Sequence, residues 1–193
     1  MYFQVVAAVS AAAEPAVIGK MKLKSISRFF RHLVSHPWQV GHHFSAEALR
    51  NIENAITSSE EKHAGELRFV VEAGLHPYEI VFNKTPRKRA IELFGRLNIW
   101  DTEHNNGVLI YLLLADRDVE IVADRGIDKH VGHANWQVIC RDMEAQFRRG
   151  EFEHGVLQGI AEISVLMQKY FAANDNKKAK KRRNEISNKP LIL

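Results

Sequence analysis

Two polar loops frame a hydrophobic hairpin in this sequence, and their side chains are the ones equipped for chemistry. Asp101, Glu103, Asn105 and Asn106 precede an unbroken apolar run from Val108 to Leu114; Asp124, Arg125 and Asp128 follow a shorter run from Val119 to Ala123. Hard cations such as Ca²⁺ or Mg²⁺ gather about six to eight oxygen ligands. Asp101, Glu103, Asn106 and Asp124 are therefore the metal-ligating candidates. Glu66, Arg68, Asn105, Asn106 and Arg125 are the candidates for holding a small ligand or anion. A structural reading competes with both: loop carboxylates also cap helices and pair with arginines, and Asn106-Gly107 is an ordinary turn signal. No EF-hand spacing is present. Hydrolysis would need a nucleophile beside a base, and only Thr102 adjoins the cluster, so no catalytic residue is assigned. A metal-assisted phosphoester hydrolysis, with Asp101 or Asp124 on the ion and Arg68 or Arg125 on the phosphate, is the one reaction these side chains could support. His130-x-x-His133 and His104 lack a spacing that enforces a zinc site.

The elements that must position these groups follow from hydrophobic pattern. Val108–Leu114 is too short to span a bilayer and reads as a strand buried on both faces. Ala115–Asp118 is a tight polar reversal, and Val119–Ala123 returns antiparallel. The reversal brings the segment before Val108 beside the segment after Ala123. Ser45 caps a helix that runs to about His63, and Glu66–Ala73 is a strand. Thr85-Pro86 starts a second helix. A helical crossover between the first two strands is right-handed, which makes them parallel. Glu66 and Arg68 therefore lie at the same sheet end as the two loops. Asn135 caps a helix carrying Trp136, Ile139, Cys140, Met143 and Phe147. Its free N–H groups are expected at that end too. After Gly150 a last helix carries Phe152 to Phe171. The expected fold is α/β: a three-layer α/β/α sandwich around a small mixed sheet.

The ends differ from the body in charge. Residues 1–41 hold five Lys/Arg against one Glu, and residues 172–193 hold seven against two acids. The overall charge is +4, so residues 42–171 carry a net −5. A nucleic-acid module would carry its basic charge on the fold itself, so specific nucleic-acid binding is not expected. Four segments result. Residues 1–20 form an N-terminal extension, disordered or foreign to the natural chain. Residues 21–41 form a basic amphipathic segment with Leu23, Ile26, Phe30, Leu33 and Val34 on one side. Residues 42–171 form the domain, and 172–193 a basic disordered tail. The basic ends suit a weak contact with an anionic membrane surface. The single cysteine, Cys140, excludes an internal disulfide and suits a reducing compartment. It falls on an apolar stripe, as a structural thiol would.

Several motifs resemble those of the TPM-domain family. Trp100–Leu109 is similar to its polar-N-G-V-L segment, Asp116–Ile121 with Arg125-Gly126-Ile127 to its D-R-x-V-x-I…G, and Phe147–Phe152 to its F-R-x-G-x-(F/Y). Gly65-Glu66-Leu67 resembles its G-x-E-I. The resemblance spans about residues 42–171. It implies a TPM-like fold, and it carries two expectations about function. Some members, notably in plant thylakoids, are described as acid phosphatases linked to photosystem II repair. Others are accessory proteins without assigned chemistry, and calcium binding is reported within the family. Three departures bear on this. Gly41-His42-His43-Phe44 stands where the family has an aspartate before its first helix, Asp124 stands where many members have glycine, and neither a signal peptide nor a membrane helix accompanies the domain. The first two weaken inheritance of a phosphatase site; the third points to a short cytoplasmic subgroup. The expected role is thus an accessory or binding module. It would present its acidic loops to a protein partner, a divalent cation (Ca²⁺ or Mg²⁺) or a small anion, with a metal-dependent phosphatase as the alternative.

Overall fold

A strand with no polar face must be covered on both sides, and the run ending at Leu114 is. The computed structural model describes residues 23–172 and 184–193, so the expectations for residues 1–22 and 173–183 lie outside the described residues. In chain order, α1 (Leu23–Leu33) leads through a 3₁₀ turn (Pro37–Gln39) and a single-turn helix α2 (Val40–His43) to α3 (Ala46–Glu60). β1 (Glu66–Glu72), α4 (Pro77–Val81) and α5 (Pro86–Arg96) follow, then the hairpin β2 (Gly107–Leu113) and β3 (Asp118–Ala123). Helices α6 (Arg125–Val131), α7 (His133–Arg148) and α8 (Phe152–Phe171) come next, and β4 (Leu191–Ile192) is the last described element.

The sheet order is β3-β2-β1-β4. β1 runs parallel to β2 in the register Glu66↔Gly107 to Glu72↔Leu113, and β3 runs antiparallel to β2. All seven residues of β2 are buried. Successive side chains point to opposite faces of a strand, so Val108, Ile110 and Leu112 enter one core with Ile52, Ile56, Phe147, Ile160 and Ile163 from α3, α7 and α8. Leu109, Tyr111 and Leu113 enter a second core with Ile80, Ala90 and Leu93 from α4 and α5. Two helical layers around one mixed sheet make the three-layer α/β/α sandwich that the sequence predicts.

Local chemistry sets the helix boundaries. Ser45 Oγ accepts the Ala48 N–H at 3.0 Å, and Thr85 Oγ1 accepts the Lys88 N–H at 3.2 Å with Pro86 in the first turn. Gly150, at φ +86°, takes the left-handed conformation that lets α8 fold back on α7. Cys140 packs on the first core, and burial pushes its thiol up to about 12. It is an inert structural thiol at neutral pH.

The structure corrects the sequence reading in three places. The cap expected at Asn135 is Gly132 instead, and Asn135 sits inside the first turn of α7 with its amide on the Val131 carbonyl at 2.6 Å. The preceding helix α6, read from sequence as loop, takes its cap from Asp124. The tail expected to be disordered from residue 172 is, over residues 184–193, laid against the sheet: Leu191 and Ile192 pair with Val70 and Val71, and Ile186 is buried in the second core. Its short apolar stretch finds the otherwise open edge of β1, a pairing that local composition does not reveal.

The second core also encloses charge. Glu72, at the end of β1, accepts two bonds from Arg89 of α5, Nε to Oε2 at 2.9 Å and Nη2 to Oε1 at 2.7 Å. The Tyr111 hydroxyl donates to Glu72 Oε2 at 2.7 Å. Burial, and then the Glu72 charge, raise the tyrosine pKa far above its usual value. A buried pair loses most when one partner is removed, because the other charge stays desolvated. Arg89→Met should therefore destabilise the domain by about 3–5 kcal/mol. Adding Glu72→Gln should recover more than about 1 kcal/mol of that loss. Urea denaturation of the two single variants and the double variant measures this coupling, and additive effects would contradict it.

Candidate functional site

The two loops named from the sequence do meet. Asp124 N–H donates to Gly107 O at 2.9 Å, continuing the β2–β3 ladder by one residue. Asp124 Oδ1 accepts the Arg125 N–H at 2.7 Å, and Arg125 Nε donates to Asn105 Oδ1 at 3.2 Å. Gly126 fixes the approach. A Cβ built there would lie 2.2 Å from Asn105 O and 2.7 Å from His104 O, so only glycine lets the first turn of α6 rest on this loop. Asn105 itself holds a positive φ of 52°. The loop is closed internally by Asn106 N–H on Thr102 Oγ1 at 3.1 Å and by Asn105 N–H on Thr102 O.

Within this cluster two oxygens lack a hydrogen-bond donor. Asn106 is fully buried; its Nδ2 donates to Ala64 O at 2.7 Å, but its Oδ1 has no partner. Asp124 is 8% exposed, and its Oδ2 likewise has none. Buried acceptors are nearly always satisfied, so a pair of them at one sheet end is a feature to explain. The carboxylates of Asp101 and Glu103, by contrast, belong to exposed residues, and the Glu103 N–H is bonded to Glu185 Oε2 at 3.0 Å. Among the described residues, no three or more His, Cys, Asp or Glu side chains are grouped to hold a metal ion.

Glu66 and Arg68 lie at the expected end but serve the chain itself. Arg68 Nη1 donates to the carbonyls of Ser187 and, at 2.8 Å, Lys189. Glu66 Oε2 accepts the Ile186 N–H at 3.3 Å. These bonds hold residues 184–193 beside β1. The helix whose first turn meets the loop cluster is α6, with α7 beginning only after it.

The opposite end of the sheet was not singled out from the sequence. Asp116, in the β2–β3 turn, is gripped by three side chains of α1: Arg28 Nε at 2.8 Å, Arg31 Nη2 at 2.9 Å and His32 Nε2 at 3.1 Å. His32 Nδ1 accepts the Leu75 N–H at 2.9 Å, which puts the ring proton on Nε2, facing Asp116. Burial alone would raise the Asp116 pKa, yet hydrogen bonding from His32 and Arg28 and the Arg28 charge hold it far below the usual carboxylate range. This grip sets the rotation of α1. The apolar side read from the sequence is split, so that Ile26 and Leu33 are part-buried while Phe30 and Val34 stand 59% and 66% exposed; Phe29, outside that side, packs on the second core. Between α1, the Trp38 turn, His42, His43 and the residues following β1 and β2 lies a cleft of about 650 Å³. Asp116 and Arg117 are among the residues that line it. The cleft opens where the two parallel strands end at their carboxyl side, the position where open α/β sheets commonly bind ligands. The sequence signals for it were His42-His43, in place of the family aspartate, and Asp116-Arg117.

A mixed sheet between two helical layers, with polar groups gathered at both strand ends, defines an α/β/α domain of the kind the sequence motifs resemble. The chain belongs to the TPM-domain family: the family's profile, described as "TPM domain", matches residues 40–166. Its structure is similar to the NMR structure of BA42 protein from the psychrophilic bacterium Bizionia argentinensis, at 27% identity and a TM-score of 0.65, covering 77% of this chain and 94% of that one. It is also similar to the N-terminal domain of a protein from P. gingivalis, at 18% identity and a TM-score of 0.55, covering 66% and 78% of the two chains. That second likeness concerns the fold alone. No curated protein matches the sequence. Among the described residues, no helix is long and apolar enough to cross a membrane.

The close approach at Gly126 gives a direct test of how the two loops are joined. Gly126→Ala should cost about 1–3 kcal/mol, the usual penalty for forcing an extra methyl into a packed site. Gly95→Ala, where a Cβ would meet nothing within 4 Å, should be stabilising or neutral because alanine favours the helix. Thermal denaturation of both variants separates local crowding from a general sensitivity to substitution.

Proposed function

We propose that this TPM domain is a binding module whose loop cluster at the start of β2 takes a hard divalent cation and presents it, with Arg125, to a partner. The observation that carries the reading is the pair of unpartnered buried oxygens, Asn106 Oδ1 and Asp124 Oδ2. Oxygen donors of this kind suit Ca²⁺ or Mg²⁺ far better than a soft metal. Asp124 would supply the negative charge and Asn106 a neutral oxygen. Asp101 and Glu103 are not grouped with Asp124, so water and backbone carbonyls would fill the remaining positions. Arg125 and Asn105 would then recognise an anionic group on the partner. Turnover is not part of this reading: Ser59 Oγ meets His63 Nε2 at 2.8 Å next to Ala64, but both side chains are buried and His63 Nδ1 is taken by the Gly65 N–H.

The test is calcium-dependent thermal stability in the full chain and in Asp124→Asn. Asparagine remains a good helix cap, so this variant removes charge and little else. Ca²⁺ at 100 times its dissociation constant stabilises the native state by about 2.7 kcal/mol. For a domain of this size that corresponds to a Tm rise of roughly 5–10 °C. The rise should occur in the parent chain and vanish in Asp124→Asn. No rise with either cation in the parent chain would overturn the reading and leave the two oxygens to buried water. Phosphate release measured in parallel should be at background. Metal-stimulated release lost in Asp124→Asn would instead establish the phosphatase alternative.

A further inference from the structure

We propose that the cleft at the carboxyl ends of β1 and β2 receives the phosphate headgroup of an anionic lipid, with Phe30, Val34 and Trp38 entering the bilayer interface around it. Three observations on one side of the molecule point there. The first is charge. Two guanidinium groups, Arg28 and Arg31, answer the single carboxylate of Asp116, and Arg117 has no carboxylate partner among the described residues. The cleft therefore keeps a surplus of positive charge even with His42 and His43 neutral. The second is shape. Arg31, Arg117, His42 and His43 line a concavity of about 650 Å³, enough for a phosphate and its glycerol attachment.

The third is the rim. Val34 and Trp38 line the cleft and are 66% and 63% exposed, and Phe30, one helical turn before Val34, is 59% exposed. Large apolar groups grouped this way beside a cationic pocket leave a soluble ligand unexplained on one side, because a free oxyanion would use the arginines alone. A bilayer surface uses both: its anionic headgroups attract Arg and Lys, and tryptophan is favoured at the interfacial depth. His43 packs on Phe152 at 4.2 Å and Trp38 edge-on against His42 at 5.1 Å, so the rim is braced by the fold. The Asp116 grip on α1 is what turns Phe30 and Val34 outward, linking the charge of the cleft to the apolar rim above it. This surface lies at the far end of the sheet from the cation cluster and does not depend on it.

The experiment is vesicle co-sedimentation of the full chain. Vesicles of phosphatidylcholine alone are compared with vesicles containing about 30% phosphatidylglycerol, using Trp fluorescence as a second readout. Arg117 sits at φ +51°, a conformation asparagine tolerates well, so Arg117→Asn removes the charge without straining the turn. We expect binding to anionic vesicles at least tenfold above neutral ones. Arg117→Asn should reduce it about fivefold, as loss of one surface arginine does. Trp38→Ser should also reduce it, and should abolish the blue shift seen on binding. Three results overturn the proposal: no preference for anionic vesicles, preference unchanged in both variants, or Arg117-dependent binding of inorganic phosphate without vesicle binding. Unchanged binding that is lost when the Lys177–Arg183 run is neutralised would assign the contact to the basic tail.

Discussion

Every other feature of this domain is arranged around burying one strand on both faces. β2 offers no polar side chain for water, so helices must cover it above and below. Its neighbours β1 and β3 must then carry whatever polarity the sheet has. The fold resolves this by placing polar groups beyond the strand ends, where backbone turns and helix starts already require hydrogen-bonding partners. The one buried polar side chain within β2, Tyr111, survives because Glu72 accepts its hydroxyl proton in a bond of 2.7 Å, and Arg89 neutralises the carboxylate. The core is thus mostly apolar on the α3–α7–α8 side, where Ser59 and His63 satisfy each other, and tied by one ion pair on the α5 side.

The two ends of the sheet have opposite chemistry. At the start of β2 the chain collects oxygens: the amides of Asn105 and Asn106 and the carboxylate of Asp124, pressed together by the glycine at position 126. At the end of β2 it collects cations, because the turn carboxylate of Asp116 draws Arg28, Arg31 and His32 of α1 onto itself while Arg117 projects beside it. The residue types are set by position in the hairpin, whose short turn between Leu113 and Asp118 fixes one strand against the other. A shift of β3 by one residue against β2 would break both ends at once, since Asp124 would leave Gly107 and Asp116 would leave α1.

Much of this was legible in the sequence, for reasons that are physical. Periodicity and apolar runs fix β1, β2, β3 and the longer helices α3, α5, α7 and α8, and Ser45, Thr85 and Pro86 mark helix starts by chemistry that acts within a few residues. The meeting of Asn105–Asn106 with Asp124–Arg125 followed from antiparallel geometry alone. What was not legible depends on distant contacts. Leu191 and Ile192 look like the end of a polar tail until the edge of β1 is known to be open to them, and Arg68 looks like a ligand-binding group until Ser187 and Lys189 occupy it. The rotation of α1 was not legible because an amphipathic pattern carries no information about a distant carboxylate, whereas the bonds of Arg28 and Arg31 to Asp116 orient the helix here. Asp124 was recognised as a functional candidate but not as a helix cap, because α6 is too short to leave a periodic signal.

The claim that most of this account rests on is the chemical division of the sheet into an oxygen-rich end and a cationic end. Amide chemical-shift mapping by NMR tests it most directly, with Ca²⁺ added in one titration and phosphatidylglycerol-containing nanodiscs in another. The account predicts that Ca²⁺ moves the amides of Asn105, Asn106, Gly107 and Asp124–Gly126, while the nanodiscs broaden those of Val34, Trp38, His42, His43 and Asp116–Arg117. Perturbation of the same set by both additions, or of neither set by either, would contradict it.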